Sequence, residues 1–175
     1  MPSLATVAFA DVDHELKSTR RILERLPDEH LDWRPHERSM TLGGLATHIT
    51  NLPFYGTTIL TADEFDTTSR PPSTPLTSRE AILAQFDQAA AAFREAVTNA
   101  DDETMQGSWA LKAGERQLFS RPRLGVLRGF AVSHLIHHRG QLTVYLRLLD
   151  VPVPGLYGQS ADDKLEAQRE SAGGA

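Results

Sequence analysis

His134 and His138 stand four residues apart in the run Ser133-His134-Leu135-Ile136-His137-His138-Arg139-Gly140-Gln141. On a helix this spacing sets two imidazoles on one face, about 6 Å apart along the axis. Neutral imidazoles so placed can grip one divalent ion, as in other helical zinc pairs of this spacing. His137 is rotated by about 100° from His138 and faces elsewhere. Leu127, Ala131, His134, His138, Gln141 and Tyr145 fall on one stripe, so Gln141 can orient a histidine from the side. The competing reading is structural: two buried imidazoles whose hydrogen bonds go to Gln141, Tyr145 or backbone carbonyls.

A metal centre needs a further ligand. The chain has no cysteine, so any ion must rest on His, Asp or Glu, and any thiol chemistry needs a thiol from outside. In helical bundles, metal sites are assembled from inward-facing side chains of neighbouring helices. His48 lies among Leu45, Ile49, Leu52, Ile59 and Leu60 at helical spacing. Taken alone it reads equally as a core histidine. With His134 and His138 it would give three imidazoles and leave coordination positions open, as catalytic sites require. An ion there can ionise a bound water, polarise a substrate oxygen or receive a thiolate.

The elements that must position these residues are mostly helical. Apolar spacing predicts a first helix over Val7–Leu26, carrying His14 and stopped by Pro27. A polar connection follows to Met40, with Trp33 as a packing anchor and His36 exposed. A second helix over Thr41–Ala62 is capped by Ser39 or Thr41 and bent at Pro53. Residues Asp63–Leu76 have turn composition and exceed the roughly 2–8 residues usual between neighbouring helices, which implies a crossover. Thr77-Ser78-Arg79-Glu80 reads as a capping box opening a third helix to Asn99. Residues 107–119 read as a short hairpin or extended loop around Ala113-Gly114, and a fourth helix spans Pro122–Leu149. The expected fold is all-α: a four-helix bundle with a long crossover between its second and third helices. One domain is expected over residues 1–165, with a charged, then Gly/Ala-rich, disordered tail over 166–175.

Composition removes several classes. No apolar run approaches the roughly 18 residues of a membrane span. The first residues lack the basic region of a secretory signal, so a cytoplasmic location is expected. The formal charge is −5 and no dense basic run is present, which argues against nucleic-acid binding.

Beyond its spacing, the late motif has a family likeness. His137-His138-Arg139-Gly140-Gln141-Leu142 with Tyr145-Leu146-Arg147, then Val151-Pro152-Val153-Pro154, Tyr157-Gly158 and Ser160-Ala161-Asp162, strongly resembles the DinB family of four-helix metalloenzymes. Trp33-Arg34-Pro35, Ser39-Met40-Thr41-Leu42-Gly43 and Leu45-Ala46-Thr47-His48-Ile49 continue the likeness, which covers about residues 10–165. It implies a divalent ion on His48, His134 and His138, with zinc or nickel first and iron next. It also implies a homodimer acting on a small molecule. Family members include thiol-dependent isomerases and S-transferases that use low-molecular-weight thiols, and hydrolase-like proteins. The expected function is therefore a metal-dependent thiol S-transferase or hydrolase; the alternative is a non-catalytic metal-binding stress-response dimer. Arg139 belongs to the same motif, either pairing with a carboxylate or holding an anionic substrate.

Overall fold

In the computed structural model, residues 3–69 and 73–173 are described. The expected first helix is two. Helix α1 spans Leu4–Ala8 and α2 spans Val12–Leu23. The break falls where Phe9 turns inward to 3% exposure. Arg128 fixes this corner: its guanidinium lies over the Phe9 ring at 4.7 Å, pairs with Asp11 at 2.7 Å and donates to the Ala8 carbonyl that the helix end leaves free.

A 3₁₀ turn at Asp28–His30 leads to α3, Leu42–Thr61. The Thr41 hydroxyl caps α3 by accepting from the Gly44 amide at 3.0 Å. Two further amides of its first turn donate to the incoming chain, Leu42 to the Trp33 carbonyl and Gly43 to the Leu31 carbonyl, both at 2.8 Å. Pro53 lies within α3. Strand β1, Glu64–Asp66, follows in the expected crossover. Three residues are too few for a readable period, so this strand was not legible in the sequence.

Helix α4 spans Arg79–Asn99 and is capped by Ser78, whose hydroxyl accepts from the Ala81 amide at 3.1 Å. The cap expected at Thr77 is therefore one residue early. Helix α4 approaches α3 closely: a Cβ on Gly56 would lie 2.6 Å from the Phe93 ring. After the short helix α5, Asp102–Gln106, the expected hairpin is present as β2, Ser108–Ala113, and β3, Arg116–Pro122. Gly114 turns it at φ 60°. Strand β1 pairs parallel with β2, placing Phe65 beside Leu111, so the chain is mostly helical with a small sheet in the order β1-β2-β3. The all-α expectation is corrected by that sheet.

The last long rod is continuous but not uniform. Helix α6, Arg123–Val126, passes into a π-helical stretch at Leu127–Ser133 and then into α7, His134–Leu148. Asp150, at φ 57°, closes α7, and the Val151 amide returns to the Leu146 carbonyl at 3.0 Å. Helix α8 spans Ala161–Gly173; the tail expected over 166–175 begins within it, and residues 174–175 lie outside the described residues. Reciprocal bonds between Ser160 and Asp163, at 2.9 and 3.0 Å, start α8, and its Ala, Glu and Lys content favours helix.

Helices α3 and α2 each pack against both α4 and α7. Leu16, Leu23, Leu45, Ile49, Phe86, Phe93, Leu127 and Leu142 are buried among them. Burial of apolar surface at about 25 cal/mol per Å² is the main driving force for this arrangement. Among the described residues no helix is long and apolar enough to cross a membrane.

Candidate metal centre

Helix α3 is buried along Leu42, Leu45, Ala46, Ile49 and Leu52. His48 lies at the edge of that face, half-buried. On α7, Leu135, Leu142 and Leu146 face the core. The same phase carries His134 and His138 toward α3. The three histidines thus meet, their candidate ligand atoms all within 4.8 Å of one another. His134 Nε2 is 2.8 Å from His138 Nε2 and 3.4 Å from His48 Nε2. Zinc–nitrogen bonds of about 2.0–2.1 Å in a tetrahedron place neighbouring nitrogens about 3.3 Å apart, so the spacing suits a shared ion.

The surroundings of the rings decide which nitrogen faces the cluster. His138 Nδ1 lies 2.7 Å from Gln141 Oε1. With that oxygen accepting, Nδ1 carries the hydrogen and Nε2 presents its lone pair. The Phe130 carbonyl, one turn back in the π stretch, raises the His134 pKa against the burial that lowers it. The lone pair of His138 Nε2 thus faces His134 Nε2 at 2.8 Å. A proton on His134 or a shared cation satisfies it. The convergence of three imidazole nitrogens is the observation that the residues fit a metal ion.

Burial also keeps the imidazoles neutral. It pushes the His48 pKa down to about 4, with a further lowering by the charges of His138 and His134. His134 and His138 are likewise lowered by burial, opposed by the Phe130 carbonyl at one and by Gln141 at the other. Neutral imidazole is the ligating form.

Two cavities open beside the cluster. One of about 440 Å³ is lined by Phe119, Arg121, Gly125, Gly129, Phe130 and His134, among others. The other, about 310 Å³, has His48, Met40, Thr47 and Ser73 in its wall. The crossover is pinned there: the Leu76 amide donates to Thr47 Oγ1 at 2.8 Å, and Asn51 Nδ2 donates to Ser73 Oγ at 3.1 Å.

The other residues singled out in the sequence lie outside the cluster. His137 is exposed, its ring 4.9 Å from that of His138. His14 is exposed near Ser18 and Tyr157, and His36 accepts from the Arg38 amide. Tyr145 packs edge-on against Trp33 and donates to the Met40 carbonyl. Arg139 is structural: 1% exposed, it pairs with Glu15 at 2.6 Å and donates to the Glu15 carbonyl, Thr19 and Tyr157. Sequence reasoning missed Phe130 and the large cavity. The available signal was Gly125 and Gly129, two glycines one turn apart in a predicted helix.

The chain is similar to known proteins over nearly its whole length. It is 33% identical over 168 residues to the uncharacterized protein YrdA of Bacillus subtilis (strain 168), covering 89% of this chain and 93% of that one. A DinB-like protein from Bacillus cereus ATCC 10987 superposes with a TM-score of 0.62 at 28% identity, over 86% of this chain and 95% of that one. The DinB-like protein YjoA of Bacillus subtilis shares the fold with a TM-score of 0.62 at 19% identity, over 85% and 96% of the two chains. The DinB family model matches residues 1–170. With these matches joined to the late motif around His138, the chain belongs to the DinB family.

Proposed function

We propose that this protein is a metal-dependent enzyme that carries one divalent ion, zinc or nickel, on His48, His134 and His138. Its reaction is S-transfer with a low-molecular-weight thiol, or hydrolysis. The reading is carried by one observation: three imidazole nitrogens converge beside an open cavity. Bound there, the ion would supply Lewis acidity, lowering the pKa of a thiol or water and polarising a substrate oxygen.

The chain's own residues supply the rest. Gln141 holds the His138 ring in the tautomer that offers Nε2. Burial favours neutral imidazoles at physiological pH. The cavity beside His134 gives a substrate room, which supports turnover over a non-catalytic metal-binding role. The scaffold we propose is a four-helix bundle of α2, α3, α4 and α7, in a cytoplasmic homodimer. Val144 and Leu148, each 57% exposed one turn apart on α7, suit such a pairing face.

Metal analysis of the purified protein, followed by zinc and nickel titration near neutral pH, tests the centre. About one ion per chain is expected; no bound ion and no uptake overturns it. Screening the loaded protein with several small thiols and electrophilic acceptors tests turnover, and loss of any activity on chelation is expected.

A further inference from the structure

The cavity beside His134 has an asymmetry that the proposed metal centre does not explain. Its walls are largely apolar, with Phe119 and Phe130 among them, and among the described residues the one charged side chain lining it is Arg121. Two nearby arginines are already engaged: Arg123 pairs with Asp63 at 2.7 Å and Arg128 with Asp11 at 2.7 Å. Arg121 pairs with no carboxylate among the described residues; its guanidinium lies 5.2 Å from the Phe119 ring centroid. An exposed arginine braced on an aromatic ring at an apolar cavity is an anion receptor in waiting.

Gly125 and Gly129 add an independent observation. Both line the cavity, one turn apart on the same rod. Glycine weakens a helix relative to alanine. Neither has the positive φ that would demand it, and a Cβ built on either meets nothing within 4 Å. Packing does not call for these glycines. What a side chain at either position would enter is the cavity itself.

We propose that this cavity binds a small organic monocarboxylate with an apolar body about the size of a phenyl ring. Arg121 holds the carboxylate in a two-pronged contact. The body lies over the bare backbone of Gly125 and Gly129, between Phe119 and Phe130. One guanidinium matches one negative charge, and a volume of about 440 Å³ suits a ligand of this size. The far end of such a ligand points toward His134. The inference deepens the enzyme reading by naming its substrate class, yet the binding itself needs no ion.

The test is titration of the full chain with phenylacetate, 2-phenylethanol and phenethylamine, by NMR shift or calorimetry, in chelator and again after zinc loading. In the metal-free protein phenylacetate should bind about tenfold more tightly than the alcohol, with the amine weakest. Arg121→Gln should bring phenylacetate to the level of the alcohol. Gly125→Leu should abolish binding of phenylacetate and the alcohol without lowering Tm. Equal affinity for the three probes overturns the proposal, as does either variant binding phenylacetate like the parent. Zinc uptake without phenylacetate binding overturns the cavity assignment alone; phenylacetate binding without zinc uptake overturns the metal centre alone.

Discussion

His138 and Gln141 share one turn of α7, with Nδ1 of the first 2.7 Å from Oε1 of the second. This contact orients the ring before any ion arrives. Gln141→Leu should therefore lower zinc affinity about 10–100-fold while leaving the fold intact. Competition against a chromophoric chelator measures it. Affinity unchanged within about twofold would show that Gln141 does not set the ring's tautomer.

Substitution separates ligand from bystander among the histidines. His48→Ala, His134→Ala and His138→Ala should each abolish tight metal uptake, whereas His137→Ala should retain most of it, because His137 lies outside the cluster. Equal losses from all four variants would place the ion elsewhere.

Arg139 and Glu15 form a buried ion pair, their side chains 1% and 6% exposed. Removing one partner leaves the other charge buried without it, which typically costs about 3–5 kcal/mol. Arg139→Ala should therefore shift the urea midpoint strongly downward. Tyr157→Phe removes a hydroxyl bonded to both partners and should cost about 1 kcal/mol. If Arg139→Ala unfolded at the parent's midpoint, the clamp would not be structural.

Asp162 gives a pH dependence of known sign. The Arg147 guanidinium, 2.5 Å away, together with the Val153 amide, lowers its pKa from 3.8 to about 2. A carboxylate with a depressed folded pKa stabilises the protein above its unfolded pKa and loses that contribution as pH falls through the folded value. The stability difference between the parent and Asp162→Asn should be constant above about pH 4 and shrink toward pH 2. Denaturation midpoints across that range are the measurement, and a flat difference would remove Asp162 from the acid response.

Glycines at two contacts should respond oppositely. Gly56→Ala drives a Cβ to 2.6 Å from the Phe93 ring and should cost about 1–3 kcal/mol by overpacking. Gly140→Ala meets nothing within 4 Å on α7 and should stabilise by up to about 1 kcal/mol through helix propensity. Thermal denaturation of the two variants reads both signs; equal shifts would deny the tight α3–α4 approach.

Local periodicity made the α7 histidines legible, because a four-residue interval carries its own geometry. The partnership with His48 was less legible: spacing left it open between core and ligand, and the family likeness supplied the choice. Helix α4 and the hairpin followed from apolar spacing and from Gly114. What escaped depended on distant chain. The corner at Phe9 is fixed by Arg128, and β1 exists by pairing with β2. The role of Arg139 needed Glu15, far away in sequence. Composition did not point to α8, whose start is held by the exchange between Ser160 and Asp163.

The π-helical stretch at Leu127–Ser133 has a consequence for how this protein tolerates change in length. Its i→i+5 turns hold an extra residue relative to a regular α-helix. Deleting one residue there would let the rod run as plain α-helix with α7 in nearly the same phase against α6, because the wide turns absorb the extra residue. A second deletion, from a rod already regular, would turn α7 by about 100°; His134 and His138 would keep their spacing and lose their aim at His48. The alignment of the cluster is thus set by how many residues precede it as much as by what they are.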